Sequence, residues 1–235
     1  MNVPNMSEKK DNDSTTAAAC LSCAVDCPNL DEIERLREEV RQLADLVRTD
    51  ELTGLFNFRY FSNTLEMEME RTRRSGQPTA LIMFDLDFFK DFNDVHGHEV
   101  GNKVLSHVAE IVRVTLRRLD SPCRYGGEEF AIILPDTSLA DATGLANRLR
   151  LIIENTPLEI DGEKLNITAS FGVDFYPAED KRTLHEFIEQ VDSFLYQAKQ
   201  AGRNRVRSAM LDQQDLGVNS EERDALFDEF TDTEN

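Results

Sequence analysis

The chain has 235 residues, of which 40% are hydrophobic, and its formal net charge at neutral pH is −19. That length and apolar content suffice for one sizeable domain with extensions, while the acidic balance argues against a nucleic-acid-binding surface, which would be basic. No apolar run approaches the roughly 20 residues of a membrane span. The polar N-terminus lacks the apolar stretch of a signal peptide, so we expect a cytoplasmic protein with no membrane span.

Both ends of the chain differ in composition from its middle. Residues 1–29 are polar and rich in Asp, Ser and Thr, which predicts a disordered segment. Its cysteines, Cys20, Cys23 and Cys27, fit either a metal or redox site or an inert segment, because a closed zinc site needs a fourth ligand and none lies nearby. Residues 209–235 hold nine acidic residues and one arginine, which predicts a second disordered tail.

Residues 30–49 carry an amphipathic helix pattern. Its apolar residues recur at alternating spacings of three and four, as Ile33, Leu36, Val40, Leu43 and Val47. This is the a/d seam of a coiled coil, and it predicts a parallel homodimer. The run is shorter than three full heptads, so packing of the helix on its own domain is the alternative.

Residues 50–208 alternate helix and strand patterns around at least one hairpin. The expected elements are a helix at 59–74, a buried strand at 79–85, a turn segment at 88–101, a helix from Val100 to Leu119, a hairpin at 124–134, helices that begin after Ser138 and Thr183, a strand at 165–176 and an edge strand at 205–207. This order predicts an α+β or α/β sandwich close to a ferredoxin-like plan.

Two acidic clusters indicate chemistry. Asp85 ends the strand at 79–85, and Glu128 and Glu129 follow the glycine pair at the hairpin tip. If these strands are neighbours, Asp85 and Glu128 meet at one end of the sheet and repel each other unless a cation lies between them. Oxygen ligands without Cys or His favour Mg²⁺ or Mn²⁺.

The segment after Asp85 has groups that suit a nucleotide. Backbone N–H groups at Phe88, Phe89 and Lys90, with the Lys90 ammonium, are suited to phosphate. The Asn93 amide is suited to reading a base. Together with the acidic clusters, these groups predict metal-dependent nucleotidyl chemistry.

Four motifs occur in a fixed order along this region. They are Asp50-x-Leu52-Thr53-Gly54-Leu55-x-Asn57; Asp85-x-Asp87-x-Phe89-Lys90-x-x-Asn93-Asp94-x-x-Gly97-His98-x-x-Gly101; Arg124-Tyr125-Gly126-Gly127-Glu128-Glu129-Phe130; and Tyr196-x-Ala198-Lys199-x-x-Gly202-Arg203-Asn204. In this combination, residues 48–208 resemble the GGDEF-domain diguanylate cyclases, with Gly-Gly-Glu-Glu-Phe as an active variant of the signature turn.

The resemblance implies a fold and an activity. The fold would be a βαββαβ core with a central, mainly antiparallel sheet flanked by helices, preceded here by the coiled-coil-type helix. The activity would be condensation of two GTP into cyclic di-GMP with release of two pyrophosphates. The enzyme would be a Mg²⁺-dependent homodimer that its product inhibits.

The resemblance also implies residue roles. Asp85, the Leu86 carbonyl and Glu128 would hold the metal, and Glu128, Glu129 and Lys90 would take part in catalysis. The substrate contacts would be Phe88, Phe89, Lys90, Asn93, His98, Asn102, Gly126, Gly127, Lys199 and Arg203.

Asn102 departs from the family pattern, which usually has Asp at this position. Both oxygens of a carboxylate can accept hydrogen bonds from guanine N1–H and N2–H₂. An amide has one accepting oxygen, and its NH₂ group is a donor. The departure keeps open a second interpretation, a catalytically degenerate domain that binds GTP or cyclic di-GMP without turnover.

An inhibitory product site is the last implied feature. Arg117 and Asp120 match the family's Arg-x-x-Asp motif, and Arg148 aligns with the arginine that completes such sites. With the helix continuing to Leu119, we expect Leu116 and Leu119 to face inward and Arg117 and Asp120 to share the outer face.

Overall fold

The computed structural model describes residues 32–39, 48–160 and 162–209. The predictions for the N-terminal cysteines, for the acidic tail beyond residue 209 and for seam positions 40, 43 and 47 fall outside these ranges. Residues 32–39 are helical and belong to a unit of residues 1–47, and residues 48–235 form a second compact unit. Within the described ranges, no helix has both the length and the apolar character needed to cross a bilayer.

Helices and strands alternate through the second unit. In chain order they are α1 (Phe58–Ser75), β1 (Thr79–Leu86), α2 (Phe89–His96), α3 (His98–Thr115), β2 (Ser121–Gly126), β3 (Glu129–Leu134), α4 (Leu139–Asn155), β4 (Leu158–Ile160), β5 (Glu163–Leu165), β6 (Ala169–Tyr176), α5 (Leu184–Gln200) and β7 (Val206–Ser208). The capping signals predicted for α4 and α5 are confirmed, because Ser138 accepts from the Asp141 N–H and Thr183 forms a full capping box with Glu186.

Five strands form the main sheet in the order β2-β3-β1-β6-β7. β1 lies at its centre, antiparallel to both β3 and β6, and every residue of β1 is buried, as its apolar sequence predicts. β6 and β7 are parallel, so the sheet is mixed but mainly antiparallel. The predicted fold class is confirmed.

Alternate residues of β1 face two separate hydrophobic layers. Ile82 and Phe84 belong to the layer packed against α3 and α4, whereas Leu81 and Met83 belong to the layer packed against α1 and α5. Phe84 stacks between Phe130 and Phe171, with ring centroids 4.9 and 4.8 Å away. Burial of each such side chain contributes about 1.5–3 kcal/mol, so these layers hold the end of β1 in place.

One glycine permits close packing of α5 on β6. A Cβ atom at Gly172 would lie 2.3 Å from the Val191 carbonyl oxygen and 2.5 Å from the Leu195 nitrogen. Both atoms belong to the α5 backbone, which has no flexible side-chain end that could move aside. The glycine inside this strand therefore brings the helix, and Lys199 at its end, close to the sheet.

The expectations around α3 are wrong in two respects. Residues 88–101 contain helix α2 and the start of α3, interrupted at Gly97 with φ of 83°. Helix α3 ends at Thr115 and does not reach Leu119, which is 73% exposed. The Asp120 carboxylate accepts from the Arg117 N–H at 2.9 Å, a local bond that competes with continuation of the helix.

The strand expected at 165–176 is also divided. Residues 163–165 pair with β4 in a separate two-stranded sheet, and β6 begins at Ala169. The edge strand expected at 205–207 is present as β7, shifted by one residue.

Candidate functional site

The two acidic clusters meet at one end of the main sheet. The antiparallel register of β1 and β3 places Asp85 opposite Glu129. The Leu86 N–H donates to the Glu128 carbonyl at 3.4 Å, so the chain after β1 also lies beside the hairpin tip. Pairing of the two strands therefore brings Asp85, Leu86, Glu128 and Glu129 together, as the spacing of the clusters suggested.

Asp85 lies in an unusual electrostatic environment. Its side chain is 13% exposed, and the Lys199 ammonium lies 3.0 Å from its Oδ2. Burial raises the pKa of Asp85 to about 6 against the opposing effect of Lys199, and the charges of Glu128 and Glu129 add to the rise. The charges of two further carboxylates act on this mostly buried carboxylate, which pairs with the Lys199 ammonium, and a further cation would stabilise such an arrangement.

Asp87, two residues later, has a different environment. It is 9% exposed and accepts three hydrogen bonds, from Thr168 Oγ1 at 2.7 Å, Ser170 Oγ at 2.6 Å and the Asn204 N–H at 3.0 Å. These bonds join the end of β1 to the start of β6 and to the turn before β7. Asp87 is therefore a structural carboxylate, a role that its position in the motif does not reveal.

Arg124 holds the hairpin tip. Its Nε and one terminal nitrogen donate to the Gly127 carbonyl at 3.0 and 2.8 Å, and its other terminal nitrogen lies 3.1 Å from Asp50 Oδ2. Asp50 also accepts from the Thr53 hydroxyl and N–H. Burial opposes the charge on Asp50, but the bonds from Thr53 and Arg124 together hold its pKa below the usual value. The first and third motifs are thus joined by an ion pair that sequence reasoning missed.

The segment between β1 and α2 is a tight left-handed turn. Phe88 has φ of 58° and is 59% exposed, whereas Phe89 is buried. Lys90, in the first turn of α2, is exposed. The Arg203 guanidinium lies over the Phe88 ring at 4.3 Å from its centroid. Two cationic side chains from distant parts of the sequence thereby flank the N-terminus of α2, which itself favours an anion.

Asn93 contains a buried atom that lacks a partner. Within the described residues, its Oδ1 has no hydrogen bond, and a Cβ at Gly101 would lie 1.9 Å from that oxygen. The glycine therefore lets α3 approach the Asn93 side chain. An unsatisfied buried acceptor is costly, which is typical of a position that a ligand completes. Asn102 and His98 are exposed on the first two turns of α3.

Arg117, Asp120 and Arg148 line a second cleft, which has a volume of about 290 Å³. Arg117 and Asp120 come from the turn after α3 and not from one helix face, and Arg148 comes from α4 and donates weakly to the Thr115 carbonyl at 3.4 Å. Partial burial raises the pKa of Asp120. The three predicted residues are therefore neighbours, although the turn and not the helix brings them together.

The fold and the four motifs define a domain with a mixed five-stranded sheet and a glycine hairpin at one end of that sheet. The family model described as "Diguanylate cyclase, GGDEF domain" matches residues 47–205, and the chain belongs to this family.

Curated relatives agree with this assignment. The chain is 40% identical over 173 residues to the response regulator PleD of Caulobacter vibrioides, covering 73% of this chain and 38% of that protein. It is 39% identical over 168 residues to diguanylate cyclase A of Treponema denticola, covering 70% of this chain and 45% of that protein. The chain thus spans less than half the length of these two relatives.

Solved structures show the same fold. The GGDEF domain of DgcB from Caulobacter crescentus, in complex with c-di-GMP, is 32% identical with a TM-score of 0.66, and the match covers 69% of this chain and 93% of that one. The diguanylate cyclase SiaD from Pseudomonas aeruginosa, in complex with its activator SiaC, is 35% identical with a TM-score of 0.66, covering 77% of this chain and 72% of that one.

Proposed function

We propose that this chain is an active diguanylate cyclase that condenses two GTP into cyclic di-GMP and two pyrophosphates. The observation that carries the proposal is the meeting of Asp85 with Glu128 and Glu129 at the hairpin, beside a turn flanked by Lys90 and Arg203. Phosphoryl transfer to a hydroxyl has two requirements. One is a set of carboxylates that can hold a cation, and the other is a set of ammonium or guanidinium groups that can bind phosphate.

Mg²⁺, or Mn²⁺ in its place, fits the donor set at this end of the sheet. The proposed ligands are the Asp85 and Glu128 carboxylates and the Leu86 carbonyl. The described residues contain no group of three Asp, Glu, His or Cys side chains assembled for a metal. The proposal therefore rests on two carboxylates and one carbonyl, and Mg²⁺ commonly takes one or two carboxylates and completes its shell with water and substrate phosphates. When bound, the metal would neutralise charge on the triphosphate and polarise the reacting phosphate.

The chain's own residues would bind and orient GTP. Gly126 and Gly127 leave room for the nucleotide along the hairpin, since neither has a side chain. The N–H groups at Phe88, Phe89 and Lys90 would bind phosphate oxygens, together with the cationic groups of Lys90, Lys199 and Arg203. Asn93 and Asn102 would contact guanine, and the unpartnered Asn93 Oδ1 supports this assignment. His98 would help to position the substrate.

The reaction needs two copies of the domain. Each would hold one GTP, and the 3′-oxygen of one nucleotide would attack the α-phosphorus of the other. The new O3′–Pα bond forms as the bond from Pα to the bridging oxygen breaks and pyrophosphate leaves, while Glu128 accepts the 3′-OH proton directly or through water. Glu129 would be a second contact to the metal. Two such transfers close the ring.

The N-terminal helix would supply the second copy. In the described part of this helix, Ile33 is 43% exposed and Leu36 is 46% exposed, so both seam residues are open to a partner. A similar structure, 30% identical with a TM-score of 0.66, is titled as the coiled coil and GGDEF domain of DgcB. A parallel dimer would raise the effective concentration of one half-site for the other.

Product inhibition would act at the second cleft. Arg117 and Arg148 present guanidinium groups that suit phosphate and the guanine edge, and Asp120 accepts from guanine N–H groups. Product bound there would stabilise an arrangement in which the two half-sites do not meet, which couples the cleft to the active site.

The alternative function is a binding module without turnover. Asn102 favours it, because the amide presents a donor where guanine also presents donors. The intact Asp85, Lys90, Glu128 and Glu129 favour the enzyme.

Incubation of the purified chain with GTP and Mg²⁺, with the products resolved by chromatography, tests the proposal. We expect cyclic di-GMP from the wild type, and a rate at least about 100-fold lower from Glu128→Gln, which removes one charge without changing volume. The matched control is Glu163→Gln on the exposed β4–β5 hairpin, which should keep the wild-type rate. Absence of product from the wild type would overturn the proposal in favour of the binding module.

A further inference from the structure

The turn between α5 and β7 has an uncommon backbone. Gly202, Arg203 and Asn204 follow one another with φ of 109°, 62° and 44°. Residues with a side chain adopt left-handed conformations at a cost, and two of them in succession need support from the surrounding structure. Asn tolerates this region better than most residues, which suits it to the last position.

Three hydrogen bonds to neighbouring residues support the conformation of Asn204. Its N–H donates to Asp87 Oδ2 at 3.0 Å, its Nδ2 donates to Glu154 Oε1 at 2.8 Å, and its Oδ1 accepts from Arg150 at 3.0 Å. Arg150 and Glu154 also form an ion pair at 2.9 Å on α4. The turn is therefore attached to the end of β1 on one side and to α4 on the other.

The consequence of this attachment is the direction of Arg203. Arg205 also holds the peptide between Arg203 and Asn204, because its Nε donates to the Arg203 carbonyl at 2.9 Å. The Arg203 guanidinium then lies over Phe88, at the N-terminus of α2. No carboxylate forms an ion pair with Arg203 in the part of the chain that the structure describes, so its charge is available to an anion.

We infer that Asn204 is a positioning residue, which with Asp87 and Glu154 holds the left-handed turn so that Arg203 faces the phosphates of a bound nucleotide. The inference rests on the proposed function, because it takes Arg203 as a triphosphate contact. It adds to that function a group of residues that sets the affinity for the nucleotide. This group includes Glu154 on α4, a helix that contributes none of the proposed substrate contacts.

Two variants break the network without touching Arg203. Asn204→Gly keeps a backbone that adopts φ above zero at little cost but removes both side-chain bonds. Glu154→Leu removes the acceptor on α4 and leaves the turn sequence intact. Glu154→Gln retains an acceptor for Asn204 Nδ2 and serves as the conservative rescue. Asn155→Ala is the matched control, because it removes a neighbouring amide whose side chain bonds only the Leu151 carbonyl among the described residues.

The measurement is calorimetric binding of the α,β-methylene analogue of GTP, which cannot release pyrophosphate, to the full chain with Mg²⁺. Guanosine, measured by competition, reports the base site alone. We expect Asn204→Gly and Glu154→Leu to bind the analogue about tenfold more weakly, the loss of one well-directed charged contact, with guanosine binding unchanged. Glu154→Gln and Asn155→Ala should bind both ligands like the wild type.

Other outcomes separate this inference from the proposed function. The inference is wrong if the two variants lower the melting temperature but bind the analogue with wild-type affinity. It is also wrong if their affinities for the analogue and for guanosine fall equally, because the network then only stabilises the fold. A wild type that binds the analogue but produces no cyclic di-GMP overturns the proposed turnover, and the binding comparison then still decides the inference. Failure of the wild type to bind the analogue overturns both.

Discussion

Asp85 and Asp87 show how two identical residues in one motif acquire different roles. Both residues are buried, and both lie at or just after the end of β1. Asp87 has three hydrogen-bond donors from the protein, whereas Asp85 has one ammonium and two further carboxylates nearby. A carboxylate that the protein already satisfies has little need of a cation, so the electrostatics favour Asp85 as the metal ligand.

Asn102 and Asn93 also have different environments, although the same role is proposed for both. Asn93 has a buried oxygen without a partner among the described residues, and Asn102 is exposed near the start of α3. If both contact guanine, Asn93 gains more from the ligand, because it is desolvated before the ligand arrives.

We predict that Asn102→Asp binds GTP more tightly than the wild type or equally well. A carboxylate accepts from guanine N1–H and N2–H₂, whereas the amide offers one acceptor. Calorimetry with the α,β-methylene analogue measures the change, and adenosine triphosphate is the control nucleotide, whose affinity should not rise. A clear loss of affinity would show that the surroundings of residue 102 are built for an amide.

At the scale of elements, the ion pair between Asp50 and Arg124 connects the segment before α1 to the β2–β3 hairpin. Both side chains are mostly buried, with 22% and 18% exposed, and Arg124 also binds the Gly127 carbonyl. Cys123, which precedes Arg124, is buried in the layer against α1, and burial raises the pKa of its thiol to about 12, so it acts as a packing residue. Apolar packing at Cys123 therefore holds the β2 strand of the hairpin, and the contacts of Arg124 with Asp50 and Gly127 hold its tip.

Asp50→Asn should destabilise the domain by about 1–2 kcal/mol at pH 7, because it weakens a partly buried charged hydrogen bond. The folded pKa of Asp50 lies below its unfolded value, so its contribution is complete above the unfolded pKa of about 4 and is lost as the pH falls through the folded pKa. Urea unfolding at several pH values measures this. The difference in free energy of unfolding between the wild type and Asp50→Asn should become smaller below about pH 4.

The control is Asp136→Asn, whose ion pair with Arg71 is on the surface with 46% and 51% of the side chains exposed. It should change stability by less than about 0.5 kcal/mol. An equal effect of the two substitutions would show that the bond between Asp50 and Arg124 does not stabilise the hairpin.

At the scale of the whole molecule, activity would depend on how two copies meet. The proposed dimer brings two active sites together, and the proposed product site keeps them apart. Both proposals concern surfaces that one copy leaves exposed, namely the seam at Ile33 and Leu36 and the cleft at Arg117 and Arg148.

Leu36→Glu combined with Leu43→Glu should place charges in the seam and weaken the dimer. The specific activity of the wild type should then exceed that of the variant most at low protein concentration, because dilution separates weakly bound copies. Activity measured across a dilution series, with sedimentation of both proteins, tests this. Glu34→Gln, which lies off the seam, is the control. Equal activities across the series would mean that the helix does not control assembly.

Arg117→Ala should raise the concentration of cyclic di-GMP needed for half-inhibition by about tenfold or more while the initial rate stays near wild type. Asp120→Ala should behave alike, since both residues line the same cleft. Arg118→Ala is the matched control, an adjacent exposed arginine that does not line the cleft. If added product inhibits the wild type and both variants with the same potency, product acts elsewhere, and the cleft has no regulatory role.

Local patterns determined much of this protein. Apolar periodicity predicted the buried central strand, capping signals predicted the starts of α4 and α5, and the ordered motifs predicted the family and the fold class. These features depend on residues near one another in the chain, so the sequence contains the required information. The sequence also suggested that Asp85 lies near the hairpin, because Asp85 was expected at the end of its strand and Glu128 and Glu129 at the hairpin tip.

Only the tertiary structure decided the contacts between distant segments. The role of Asp87 depends on donors 81, 83 and 117 residues away in the chain. The left-handed turn at Arg203 and Asn204 depends on α4, some 50 residues earlier. Such contacts satisfy buried polar groups, and which donor meets which acceptor is set by how the layers pack and not by local propensity.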